Sequence, residues 1–162
     1  MATSAWPEAV QRVTSYLREA RAEVRVEEFP EGTPTAKAAA EAVGCELGQI
    51  VKSLVFVCDG AYVLALVPGD CRADEAAIAA AIGAQQVRIA GPDEVMHATG
   101  FEPGAVAPFP QRAVTRALLE RGLLRHSVVW IGAGSTSHMA ELSPAELQRL
   151  AGAVVGDIVA PG

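Results

Sequence analysis

The sequence predicts an α/β or α+β domain on a mixed β-sheet, and three observations carry that prediction. Two nearly continuous apolar runs, residues 50–58 and 61–67, flank Asp59-Gly60, a strong hairpin signal. Short segments with helix start and stop residues alternate irregularly with short β-forming runs. The chain has 162 residues, 51% hydrophobic and 20% charged, enough for one sizeable core and unlike a disordered segment. A single domain over residues 1–162 is expected, with residues 1–31 supplying an N-terminal helix and strand.

Along the chain, Val10, Val13, Leu17 and Ala20 form an apolar stripe at helical spacing, and Pro7 suits a first turn, so residues 7–22 read as a helix. Residues 24–29 read as a short strand and 30–34 as a loop. Thr35 can cap a helix over 36–43 that Gly44 stops. The apolar runs of the hairpin predict a position inside a sheet covered on both faces. Residues 74–82 and 92–99 read as helices stopped by Gly83 and Gly100, with a short strand at 86–89 between them. Residues 100–110 carry too much glycine and proline for a regular helix. Residues 114–124 are compatible with strand, helix or both. Residues 127–131 read as a strand running into Gly132-Ala133-Gly134-Ser135, most simply a tight turn between strands. Ser143-Pro144-Ala145-Glu146 is a capping box for a helix to about Leu150, and 154–159 can form a last strand.

A formal charge of −6 argues against broad nonspecific nucleic-acid binding. Cys45, Cys58 and Cys71 form no CxxC pair and are odd in number, which predicts free thiols in a reducing cytoplasm. His97, His126 and His138 lack ligand-like spacing, so no metal site is expected. No signal peptide and no membrane-spanning apolar run is evident, so a soluble, cytoplasmic protein is expected.

Lys52 is the most informative residue. In a strand it shares a face with Ile50, Leu54, Phe56 and Cys58, where an unpaired ammonium is costly. Either its head reaches water at the strand end, or it enters a cleft that uses the charge. No phosphate-binding GxxxxGK[ST] or GxGxxG pattern is present, and no Ser-His-Asp set is legible, although Ser135, Ser137 and His138 lie close together. His138 reads as a strand-end or surface histidine. Arg112, Arg116, Arg121 and Arg125 cluster with Glu120 as the only acid among residues 111–126. They are either a solvated face or a phosphate-contacting patch beside the 100–110 loop.

The phrases Ile50-Val51-Lys52-Ser53-Leu54-Val55-Phe56, Val63-Leu64-Ala65-Leu66-Val67-Pro68-Gly69-Asp70, Pro92-Asp93-Glu94-Val95, Thr99-Gly100-Phe101-Glu102-Pro103-Gly104 and Val129-Trp130-Ile131-Gly132-Ala133-Gly134 occur in that order. Together they resemble the YbaK/prolyl-tRNA-synthetase-associated editing domain family, from about Gly32 to the C-terminus. The resemblance implies a compact α/β domain with a mixed, strongly curved sheet surrounded by helices. It implies a freestanding deacylase that hydrolyses an amino acid wrongly esterified to tRNA, without metal or cofactor. Mischarged tRNA is the implied partner, with an aminoacyl-tRNA synthetase as a possible second and no membrane.

Carried over residue by residue, the resemblance makes Lys52 the active-site lysine, either positioning substrate or moving a proton. Substrate-binding groups are then Gly100, Phe101, Gly104 and Ala105 in one loop, and Gly132, Gly134 and Ser135 in the other, with Thr35 lining the pocket. The four arginines are the tRNA-contact candidates. Two departures stand out: Ala105 replaces the second glycine of a common Gly-Gly pair, and Ala107-Pro108-Phe109-Pro110 replaces a Pro-Pro-x-Gly. Ala105 would be strained if its position required a positive φ. The alternative function is therefore a catalytically silent module that binds aminoacyl-tRNA or a synthetase through the same cleft.

Overall fold

The computed structural model describes residues 6–161. A five-stranded mixed sheet forms the centre. Its order is β4 (Val87–Ile89), β2 (Val51–Cys58), β3 (Ala61–Pro68), β5 (Val114–Glu120) and β8 (Ala153–Gly156). β2 runs antiparallel to β3 and β4, whereas β5 runs parallel to β3 and β8. A second, antiparallel sheet places β7 (His138–Leu142) between β1 (Val26–Glu28) and β6 (Val129–Ser135). The expected mixed sheet is thus divided into two, which touch through an isolated bridge between Ile50 and Trp130.

The hairpin follows from its turn. Asp59 and Gly60 both take positive φ, 48° and 84°, the twist that closes a two-residue hairpin, and Cys58 faces Ala61. Alternation then sends Val55, Leu64 and Leu66 to one face and Phe56, Val63 and Val67 to the other. The first face packs on Val10, Val13 and Leu17 of helix α1 (Glu8–Glu19) and on Phe101 and Phe109. The second packs on Ile78 of α3 (Glu75–Ile82) and on Ile158. Both faces are covered, as the continuous apolar runs predict.

Local cap chemistry sets the remaining helices. Thr35 accepts from the Ala38 N–H at 3.0 Å and starts α2 (Ala36–Val43), and Gly44 at φ 75° ends it. Asp74 and Ser143 cap α3 and α5 (Pro144–Ala151) in the same way. α4 (Pro92–Thr99) ends at Gly100, φ 80°.

Two local expectations change, and one left open is decided. The first helix stops at Glu19, with Arg21 turning the chain at φ 56°. Residues 114–124 form strand β5 followed by a 3₁₀ turn, Arg121–Arg125, because the Glu120 carboxylate accepts from the N–H groups of Gly122 and Ile158 and breaks the strand. Gly132–Ser135 is no turn: it is the bulged end of β6, and the chain reverses at Thr136-Ser137 into β7, a strand the sequence reading lacks.

Candidate active site

The seam between the two sheets opens into a cleft of about 280 Å³. One wall is Lys52, Ser53 and Leu54 of β2, and the facing wall is Gly132 and Ser135 of β6 with Met139 of β7. The start of α2, including Thr35, Ala36 and Ala39, closes one side, and Gly104, Ala105 and Val106 close another.

Lys52 is the second residue of β2, paired with Val67. Its side chain is half-buried, and Nζ donates to the Cys71 carbonyl at 2.5 Å. Lys52 therefore lies near the strand end, and that strand end lines the cleft. The Gly69 N–H donates to Ile50 O and the Ala90 N–H donates to Val55 O. Even-numbered residues of β2 thus turn their peptide groups to β3, and odd-numbered ones turn away from it. β4 pairs with β2 only at residues 56–58. Between the Ile50–Trp130 bridge and Val55, the peptide groups of Ser53 consequently face the seam with no ladder partner there. The Ser53 hydroxyl, also buried, has no hydrogen-bond partner among the described residues.

The loop opposite is held close by small residues. Gly104 takes φ 85° in a turn closed by the Ala105 N–H on Glu102 O at 2.9 Å. Gly132 lets the Val106 carbonyl lie 3.4 Å from where a Cβ would stand. Ala105 is not among the positive-φ residues, so the alanine adds a methyl group to the cleft without backbone strain.

Of the residues singled out in the sequence, Lys52, Thr35, Gly104, Ala105, Gly132 and Ser135 meet in this cleft. Gly100, Phe101 and Gly134 do not line it. Gly100 is the C-cap of α4 and lies against Arg12 and Arg112, with its carbonyl accepting from Arg12 at 2.6 Å. Phe101 is 1% exposed in the core. Gly134, at φ 104°, packs against the backbone of Ala9 and Val10. The four arginines share no helical face. Arg112 and Arg116 lie near the start of β5, while Arg121 and Arg125 follow its end, where Arg121 pairs with Asp157 at 3.0 Å. In register, the end of β5 is the end of the sheet that carries Lys52.

Sequence reasoning missed Met139, Ala36 and Ala39 in the cleft. It also missed a polar set beside it, centred on the buried His138: Ser135 Oγ lies 2.6 Å from His138 Nδ1, and His138 Nε2 lies 3.7 Å from the exposed Glu28. The Ser-x-x-His spacing was visible, but the glutamate arrives from β1. His138 is buried rather than at the surface. Burial pushes its pKa down and Glu28 partly offsets this. Burial, then Asp70, pushes the Cys71 thiol up, so it is protonated at neutral pH and unsuited to act as a nucleophile.

The depressed His138 pKa has a measurable sign. A group whose folded pKa lies below its ordinary value of 6.5 takes up protons more readily when unfolded. Its stabilising contribution is complete above that value and is lost as pH falls through the folded pKa. The melting temperature is therefore expected to fall with pH on the acid side of neutrality, and His138→Asn is expected to flatten that slope. An unchanged slope in the variant would remove His138 as its source.

The site is thus a half-buried lysine facing glycine-built loops across a seam between two sheets. The aminoacyl-tRNA editing domain family matches residues 30–150, and the chain belongs to that family. Among solved structures it is similar to a candidate trans-editing enzyme for prolyl-tRNA synthetase. That likeness has a TM-score of 0.91 and 37% identity and covers 97% of this chain and 100% of the other. It is 32% identical over 142 residues to the uncharacterised protein YwhH of Bacillus subtilis, covering 87% of this chain and 90% of that one. It is also 32% identical over 94 residues to a proline–tRNA ligase of Staphylococcus epidermidis, 58% of this chain but 16% of that enzyme.

Proposed function

We propose that this protein is a freestanding aminoacyl-tRNA deacylase that hydrolyses the ester of mischarged tRNA in trans. The observation that carries the reading is the position of Lys52 on the wall of a small cleft that Gly104, Ala105 and Gly132 also line. Its volume of about 280 Å³ lies at the small end of ligand pockets, which suits an aminoacyl group more than a whole nucleotide. Similarity over nearly the full length of both YwhH and the candidate trans-editing enzyme supports action without an attached synthetase.

Ester hydrolysis needs a water placed on the carbonyl and donors for the developing oxyanion. Lys52 is the cation of the cleft, and it holds the terminal ribose or its phosphate as a charged donor. Peptide N–H groups at Ser53 and in the loop containing Gly104 supply oxyanion donors that need no reorganisation. The Ala105 N–H is excluded from that role by its bond to Glu102 O. The test is a panel of mischarged tRNAs; no turnover on any of them, with tight binding, would favour a silent binding module. Of the two departures behind that alternative, Ala105 brings no backbone strain, since its φ is not positive.

Ala105 instead sets the size of the accepted group. Ala105→Gly is expected to raise kcat/KM for the larger aminoacyl groups of the panel by roughly 10-fold, the usual worth of one methylene in a pocket. Ala105→Val is expected to lower it for all but the smallest. The same rank order of substrates in all three proteins would place Ala105 outside the selecting wall.

A further inference from the structure

We propose that Ser135 is the acceptor for the free α-ammonium group of the aminoacyl substrate, and that His138 and Glu28 position its hydroxyl for that task. The inference rests on the aminoacyl-ester reading of the cleft.

Three contacts determine what Ser135 can offer. Its Oγ accepts from the Ser137 N–H at 3.0 Å and lies 2.6 Å from His138 Nδ1, with Ser137 Oγ further off at 3.4 Å. His138 is 2% exposed, and its Nε2 makes no hydrogen bond. That nitrogen faces the Glu28 carboxylate at 3.7 Å, too far for a hydrogen bond but close enough for charge to matter. The Trp6 ring packs edge-on against the imidazole at 4.9 Å and brings no charge. A lone pair on Nε2 would point at a negative group, so the proton belongs on Nε2 and Nδ1 is left as an acceptor.

The Ser135 O–H must then point at Nδ1. With its proton committed and one lone pair taken by the Ser137 N–H, Oγ keeps a second acceptor site for the cleft that Ser135 lines, provided the Ser137 hydroxyl 3.4 Å away donates elsewhere. Had Nδ1 carried the proton, Ser135 would present a donor instead. No carboxylate lines the cleft among the described residues, so a hydroxyl fixed as an acceptor supplies what an incoming ammonium needs. Ser135 lies on β6, across the seam from Lys52 on β2. The two ends of the substrate, the amine and the ribose, thereby go to opposite walls.

The test measures binding and turnover separately. A non-hydrolysable amide analogue of alanyl-adenosine and its N-acetyl derivative are titrated into wild type, Ser135→Ala, His138→Leu and His138→Asn. The same proteins are assayed on the mischarged tRNA panel. Wild type should bind the free-amine analogue more tightly than the acetylated one. Ser135→Ala should lose about 10- to 100-fold of affinity for the free amine alone, the range for one hydrogen bond to a charged group. His138→Leu should lose the same preference, and His138→Asn, which can keep an acceptor near the Nδ1 position, should restore part of it. Equal binding of the two analogues by wild type, or equal loss on both in Ser135→Ala, overturns the proposal. Selective amine binding without turnover on any tRNA leaves this assignment standing and defeats the deacylase reading.

Discussion

Lys52→Ala is expected to lower deacylation kcat/KM on the best substrate by on the order of 100-fold, the scale for removing one positioned donor at a reacting centre. The fold should survive the change. Lys52 is half-buried, its partner is a carbonyl of the loop after β3, and the strand around it is held by the full ladder to β3. A melting temperature within a few degrees of wild type, about the effect of 1 kcal/mol in a chain of this size, is the accompanying expectation. Lys52→Arg separates the two roles open to the residue. Arginine keeps the charge but does not deprotonate in the neutral range, so it retains part of a positioning role and none of a proton-transfer role. Equal rates for Lys52→Ala and wild type on every active substrate would remove Lys52 from the mechanism.

The second large effect is on stability. A Cβ at Gly134 would stand 2.9 Å from both the carbonyl carbon and the oxygen of Ala9, and the residue takes φ 104°. The obstacle is the backbone of the first turn of α1, which cannot swing aside as a side chain would. Strain from the left-handed conformation and from overpacking together put the cost of Gly134→Ala at about 3 kcal/mol. In a domain of this length that is a fall of roughly 10 °C in melting temperature. Below the transition, KM should match wild type, because the added methyl faces α1 and not the cleft. A raised KM with an unchanged melting temperature would return Gly134 to the binding surface.

Gly134 also marks where the sequence stops being legible. A glycine in a β-forming run signals that something approaches the backbone closely. It does not say whether the neighbour is a ligand or another part of the chain. At Gly132 the approach belongs to the cleft, and at Gly134, two residues on, it belongs to α1. Gly100 is the same case, spent on ending a helix and admitting arginine side chains. Cap and turn chemistry was readable because it is local: Thr35, Asp74 and Ser143 cap residues two or three positions on, and Asp59-Gly60 turns the chain through its own backbone. The division of the sheet was not readable, since it depends on pairing between strands distant in sequence, as in the β1–β7 pair that joins Val26 to Ala140. Strand β7 was hidden for a related reason. His138 and Glu141 break its apolar pattern, and what makes it a strand is its central place between β1 and β6. Lys52 could be located by periodicity, but its partners came only from family resemblance and then from the seam itself.

That seam divides labour within the molecule. The five-stranded sheet carries the lysine, and its register is fixed by an eight-pair ladder between β2 and β3. The opposite wall belongs to a separate sheet and a glycine-rich loop. A change at Met139 or Ala105 can therefore reshape the cleft without disturbing the strand that presents Lys52. On the proposed deacylase reading, this architecture lets substrate choice drift over generations while Lys52 stays in place. Within one lineage, substitutions that alter which amino acid is removed are expected to accumulate on the wall that lacks the lysine.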